Sequence, residues 1–550
     1  MDNGSFQDFS AYTFKDILKN KSKIKMNRKK FDLKLSKGKS IGLFLIISFL
    51  LFYFLLPPIN IFSPFFIIFL AMECGLFLIT IGPSFSIFKI SIKIMAVFFA
   101  LYVILNIASS EFFHAKSYAN ILNPINGDFS KQISEIKPED IPTIDRDTAE
   151  RLGERKMGEI LDLVSQFNID SSYTQINYKN NPVRVTPLEY NGFIKWLSNQ
   201  SKGIPHYLLV DMKDGKVDLK TPNNPIKYSK SELFFRDIER LIRFKYPTKI
   251  TGEINFEIDD EGNTYWITPT YSPRIWMKAL DPNGAIIVRA DTGDSKYYDL
   301  KDIPSWVDRV FSSSDILRQL SWNGKYKGGF FNSFISQKGV LKPTDGYNYL
   351  AIDDDVYFYT GITSVAKDSS NVGFFLVNLR TKEADFYPVS SAEEFSAMAS
   401  AEGEVQEKNY TATFPLLLNI KGAPTYFISL KDNAGLIKMY AFIDAKNYQN
   451  VSIGNTVLQA YNTHINESSL SSTLAEEEKE MEDISGKVVD LKEVVIDGTT
   501  NYYILLDNGN IVIASIKLDE NLAFLKANDK LSVKAFMVKD KLYNAISIEK

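Results

Sequence analysis

One cysteine and three histidines in 550 residues remove several kinds of chemistry at the outset. Cys74 lies inside an apolar run, so no disulfide forms within the chain and no cysteine-based metal site is available. With only His114, His206 and His464, histidine-rich metal sites and most histidine acid–base pairs are disfavoured. Strong charge of one sign is also missing. A net charge of −3 offers no electrostatic footprint for a nucleic-acid partner. The patterns HExxH, GxSxG and GxxxxGK are absent. No catalytic residue, metal or cofactor is therefore expected. The chain reads as not an enzyme, and Asp353, Asp354 and Asp355 are set aside as strand residues whose side chains alternate.

What is present is concentrated near the N-terminus. Three apolar stretches, Ile41 to Leu56, Ile59 to Ile81 and Ile90 to Ala108, each approach the roughly 17–25 residues that cross a bilayer as a helix. Residues 21–40 carry nine Lys/Arg, whereas the twenty residues after Ala108 carry one, Lys116. That asymmetry predicts a cytoplasmic N-terminus, three spans and an extracytoplasmic region over 109–550. The basic arm, 1–40, sets topology and lies on anionic lipid. No small-residue cleavage site follows the first stretch, so a removed signal peptide is not expected. Glu73 sits in the second stretch, where a carboxylate calls for a partner; Lys93 of the third is in reach by snorkelling, which makes the two a candidate intramembrane contact.

Beyond Ser109 the chain repeats one phrase: apolar strand, Asp/Gly turn, strand. It occurs at Tyr207 to Leu219, Asn255 to Thr268, Gly284 to Leu300, Gly373 to Tyr387 and Thr425 to Ile443. Each reads as a β-hairpin whose turn needs a residue of positive φ, with Asp bonding back to the backbone. Asp259, Asp260, Asp291 and Asp294 therefore have structural work at turns. Between the hairpins lie helical patterns. Thr186, Pro187 and Glu189 predict a helix start before an apolar face of Tyr190, Phe193, Ile194 and Leu197. Ser229 with Glu232, and Ser391 with Glu394, predict two more; residues 145–167 and 303–322 also read as helix. Trp266, Tyr271, Arg274 and Trp276 form the candidate binding cluster, a stacking surface for sugar or peptide set against the alternative of edge packing.

The phrase "AxTGxxxYY" at Ala290 to Tyr298, with "DxxGNTYW" at Asp259 to Trp266, resembles the PepSY module. The resemblance covers Asn255 to Asp308, and more weakly Val372 to Asn450. It implies an extracytoplasmic bacterial protein that binds or restrains a partner, and it brings no catalytic residue. The whole chain also resembles uncharacterised bacterial multi-pass membrane proteins.

A Ser-rich then acidic stretch, 466–484, reads as a linker. After it come five strands, Lys487–Val495, Tyr502–Leu506, Ile511–Ile516, Leu531–Val538 and Tyr543–Ile548, with a helical turn at Glu520 to Lys526. That order predicts a small OB-like barrel. The fold class is thus α+β: transmembrane helices over 41–108, a helix-rich connector over 109–250, hairpin modules over 251–465 and the barrel over 485–550. The expected function is a membrane-anchored envelope protein, in contact with membrane lipid, that binds or regulates another surface protein. The alternative is an enzyme or accessory subunit acting on cell-wall, lipid or glycan material.

Overall fold

The computed structural model describes residues 37–81, 86–352, 354–365, 367–466, 482–496, 499–516, 518–539 and 541–549. Most of the basic arm, most of the acidic linker and Asp353 lie outside the described residues. The described chain forms two compact units, one of 37–57 with 64–101 and the other of 58–63 with 102–549.

The first unit is helical. By length and composition one helix, Gly38–Leu55, is apolar enough to cross a membrane. Pro64–Thr80 is a shorter apolar helix, and Ile92–Ala108 reaches the measure only if it forms one span with Glu111–Ala119 across a bend of 51°. Among the described residues one helix thus meets the measure, or two if the bent pair is one span, so an apolar N-terminal anchor is the part of the three-span expectation that is seen.

The second unit is mixed α+β, with strands in four open sheets and one closed barrel among the described residues. The open sheets follow one another along the chain. The first is built on Asn181–Tyr190 and Tyr207–Asp211, the second on Thr264–Ile275 and Lys278–Arg289, the third on Asp355–Ser364 and Lys367–Asn378, and the fourth on Ala423–Lys431 and Ile437–Asp444. Each pair is antiparallel, and the hairpins foreseen from the Asp/Gly turns are all formed.

Burial shows how these sheets are assembled. Trp266, Phe256, Val185 and Leu208 share one core between the first and second sheets. Ile267, Ile287, Phe358 and Phe375 join the second to the third. Phe374, Tyr359, Tyr426 and Phe442 join the third to the fourth. Ile144, Tyr173 and Val210, with Ile437 packed on them, return from the fourth to the first. The four sheets therefore close a ring. Alternating side chains in each strand let both faces of a sheet be buried against its two neighbours.

The segment before the first sheet acts as the clasp. Ile125–Asn126 adds a parallel edge strand to Ala384–Tyr387 of the third sheet. Asn419 then donates to Ile133 O, Ser429 Oγ donates to Thr143 O at 3.0 Å, and Lys431 pairs with Asp145, all from the fourth sheet. The same stretch reaches the first sheet through Thr143 N and Ile144 N, which donate to Met212 O.

The C-terminal strands, Glu482–Ile496, Thr499–Leu506, Ile511–Ser515, Lys530–Lys539 and Leu542–Glu549, close a barrel in the order first, second, third, fifth, fourth. The third and fifth pair in parallel. Val488, Ile504, Val512, Val533 and Ala545 fill it with a core of its own.

Several helix starts read from the sequence are corrected. Thr186, Pro187 and Glu189 belong to strand Asn181–Tyr190, and the helix begins only at Phe193 after Gly192 with φ of 85°. Pairing of Thr186 and Pro187 with Leu208 and Tyr207 overrides the local capping signal. Ser229 Oγ does accept from Glu232 N at 3.2 Å, yet the following α-helix is Ile238–Lys245, capped by Asp237. Ser391 is paired in a sheet, and the helix there is Glu394–Glu404. The stretch 145–167 divides into helices Arg146–Gly158 and Leu161–Val164 before a strand begins at Phe167. In 303–322 the helix is Ser313–Tyr326, and Ser312 Oγ accepts from Asp315 N at 3.1 Å as its cap.

Candidate functional site

A cavity of about 460 Å³ lies within the ring and takes lining residues from all four sheets. Thr174 and Arg184 come from the first, Asn255 from the second, Asn348 and Tyr349 from the third, and Leu416 and Ser429 from the fourth. The clasp adds Thr143 to Arg146, and the start of helix Ser313–Tyr326 adds Ser313 and Ser314.

Two arginines dominate its chemistry. Arg184 projects from strand Asn181–Tyr190 and is only 5% exposed. Its Nη2 donates to Gln175 Oε1 at 3.1 Å, while its Nε has no partner among the described residues. Burial pulls the guanidinium down to about 10, so it stays protonated at neutral pH. Arg309 donates from Nη2 to Tyr349 OH at 3.0 Å, and its Nε is likewise buried without a partner. Tyr349 OH forms a short hydrogen bond with Ser313 Oγ. Burial by itself raises the Tyr349 phenol, but the Arg309 charge and the Ser313 hydrogen bond outweigh it and leave the group below its ordinary value.

Carboxylates near this pair are committed elsewhere. Glu257 is fully buried and accepts from Asp308 N at 2.9 Å and Arg309 N at 3.2 Å. Asp308 Oδ2 accepts from Asn177 N at 2.7 Å. Burial pushes Glu257 up to about 7, and burial with the neighbouring Glu257 charge pushes Asp308 well above the carboxylate range. Asp145 is raised by burial but held below its ordinary value by Lys431 and Thr148. No ion pair reaches Arg184 or Arg309 among the described residues.

A second feature is apolar. Helix Phe193–Asn199 leaves Phe193, Ile194 and Leu197 exposed, and Phe234 and Phe235 are exposed beside it. Phe193 and Phe234 flank the Trp196 ring at 5.5 and 6.0 Å. The sequence pattern foresaw an apolar face here; the structure leaves it uncovered, while Tyr190 is buried and donates to Glu232 at 2.9 Å.

The candidate cluster of four is not gathered on one surface. Trp266 is wholly buried and donates to Tyr228 O at 2.7 Å. Tyr271 donates to Asp315 Oδ2 at 2.6 Å, and Arg274 pairs with the buried Asp281 at 2.9 Å. Trp276 is 60% exposed against the His114 ring, 5.9 Å away. Three of the four are tied into the fold, and edge packing describes them. In the helical unit, Glu73 accepts from Ser48 Oγ, and Lys93 is exposed with no ion pair between the two. Two of the turn acids bond back to the backbone as read: Asp259 accepts from Asn263 N at 2.8 Å, with Tyr265 OH at 3.0 Å, and Asp291 accepts from Thr292 N at 2.8 Å, with Arg289 at 2.7 Å. Asp355 pairs with Arg380 at 2.7 Å, and no group of three or more His, Cys, Asp or Glu placed to hold a metal occurs among the described residues.

Sequence reasoning missed Arg184 and Arg309. Neither sits in a motif, since the pocket is assembled from positions 125 residues apart in the chain. An available signal was Arg184 itself, a charge flanked by Val183 and Val185 in a stretch that the sequence reading left without an element.

No family model matches the chain, and no curated protein matches it. Among solved structures, an apocarotenoid oxygenase mutant from Synechocystis overlaps at 10% identity and a TM-score of 0.18, covering 53% of this chain and 62% of that one. An exo-β-1,3-galactanase from Phanerochaete chrysosporium overlaps at 7% identity and a TM-score of 0.16, over 63% of this chain and 66% of that one. The chain thus spans less than two thirds of the first of these, and overlaps at such TM-scores carry no argument about fold or activity.

Proposed function

We propose that this chain is a membrane-anchored protein of the bacterial envelope whose ring of sheets binds another surface protein without transforming it. The observation that carries the reading is the uncovered apolar patch of Phe193, Ile194, Leu197, Phe234 and Phe235. Contiguous apolar surface of this kind on a folded domain marks an interaction site. A PepSY-like role for the hairpin modules is in keeping with it, and the barrel, read as OB-type, serves as a docking or spacing module.

The three-span topology is supported by two junctions. Ile59 N donates to Pro247 O at 2.7 Å and Asn60 Nδ2 to Thr248 O at 2.9 Å, so the link between the first two apolar stretches rests on the ring. Ser109, at the end of the third stretch, accepts from Tyr118 OH at 2.7 Å and from Met277 N at 3.2 Å. Residues 59–60, in the link after the first stretch, and Ser109, after the third, thus both contact the ring, in keeping with a path that brings both to the outer side. Exposed Trp276 lies beside Met277 at the second junction, with exposed Phe112, Phe113, Phe331 and Phe334 near it, and tryptophan is a residue type enriched at membrane interfaces.

The test is a photo-reactive residue at Leu197 in the full-length protein in living cells. The expected result is a discrete protein adduct that Phe235→Ser abolishes, with membrane level and melting temperature unchanged. Adducts to lipid alone, or a protein adduct indifferent to Phe235, would defeat the reading.

A further inference from the structure

We infer that the cavity inside the ring is a binding site for a phosphate ester, held by Arg184, Arg309, Tyr349 and Ser313. This goes beyond partner binding at the apolar patch and stands on different residues.

The argument starts from cost. Two guanidiniums line one pocket, and the charge of Arg309 acts on Arg184. Like charges placed together away from water oppose folding unless an anion offsets them. The nearby acids offset them only in part. Asp145 acts on Arg184 but is paired with Lys431, and Glu257 and Glu253 act on Arg309. Yet Glu257 accepts from backbone N–H groups, Glu253 is exposed at the pocket's edge, and none forms an ion pair with either guanidinium among the described residues. Both arginines keep a buried Nε without a partner among the described residues. Buried donors of that kind are rare, and here both belong to charged groups lining one cavity.

The remaining donors fix the type of anion. Tyr349 and Ser313 share one hydrogen bond, Tyr347 bonds to both, and these hydroxyls can turn to donate to an anion in the cavity. Ser313 is the first residue of a 14-residue helix, whose N-terminal end favours negative charge. The donors come from four separate elements: strand Asn181–Tyr190, the segment at Arg309, strand Asn348–Ile352 and helix Ser313–Tyr326. A planar carboxylate suits a single arginine fork. Donors converging from several elements suit a tetrahedral group with three terminal oxygens. A cavity of about 460 Å³ accepts that group with a small attached alcohol. A free phosphate ester and a phospholipid headgroup share this chemistry.

The experiment is calorimetric titration of the full-length protein in detergent with sn-glycerol 3-phosphate, against acetate and chloride at equal ionic strength. The expected result is one site per chain and a raised melting temperature with the phosphate ester alone. Arg309→Gln should weaken binding about tenfold or more. Tyr349→Phe, which keeps the packing, should weaken it several-fold in a protein that melts like the wild type. Competition by phosphatidylglycerol vesicles but not phosphatidylcholine vesicles would assign the headgroup as source; no competition would assign the soluble ester. Equal response to acetate, no stabilisation beyond chloride, or unchanged binding in folded Tyr349→Phe would overturn the inference. None of these results bears on the adduct at Leu197, so either idea can fail alone.

Discussion

Glu257 is a residue whose environment inverts its ordinary behaviour. Removed from water, it holds its proton up to about 7, against 4.5 for the free side chain. The folded state therefore binds a proton that the unfolded chain has already released. Stability from this group is full below about pH 4.5 and is lost as the pH rises toward 7. Glu257→Gln removes that slope and, by removing the neighbouring charge, also reduces the upward shift of Asp308. Denaturant melts from pH 4.5 to 8 should show the wild type losing up to ~3 kcal/mol relative to the variant. Parallel curves would mean that Glu257 is not protonated inside the ring. Nothing in the local sequence around Glu257 signals this, because its neighbour Asp308 arrives from 51 residues away.

The hairpin turn is the element at which local sequence and structure agree best. Gly293 closes the turn after Lys278–Arg289 with φ of 73°, and a Cβ there would lie 2.5 Å from the Tyr228 ring. Both the conformation and the space require glycine. Gly293→Ala is expected to cost about 1–3 kcal/mol by chemical denaturation. A cost near zero would show that the turn relaxes freely. Hairpins were legible because Asp, Gly and Asn impose their turns within four residues. Helix starts were less legible. A Ser or Thr three residues before Glu satisfies a capping pattern, but Thr186 and Ser391 were claimed by strand partners the local window does not contain.

At the scale of the whole molecule, the ring and the barrel have separate cores. A chain ending at residue 466 is expected to keep the melting temperature of the ring within about 2 °C, since distant, independent sites add without coupling. A large drop would place the barrel in the ring's cooperative unit. For topology, Cys74→Ser removes the native thiol and Lys446→Cys places one on the exposed surface of the ring. Labelling of Lys446→Cys by a membrane-impermeant maleimide in intact cells is expected; protection until lysis would put the ring in the cytoplasm.

The sequence by itself determined the elements with short-range causes: the apolar helix Gly38–Leu55, the hairpins and the five strands of the barrel in their order. Periodicity and turn chemistry act over a few residues, so one sequence suffices to read them. Tertiary structure alone decided that four sheets close into a ring, that the face of Phe193 stays uncovered and that Arg184 and Arg309 line one cavity. Those outcomes depend on which apolar faces find each other across more than a hundred residues. Burial then sets the charge of Glu257 and leaves the two arginines without an ion-paired carboxylate among the described residues, which no local pattern records.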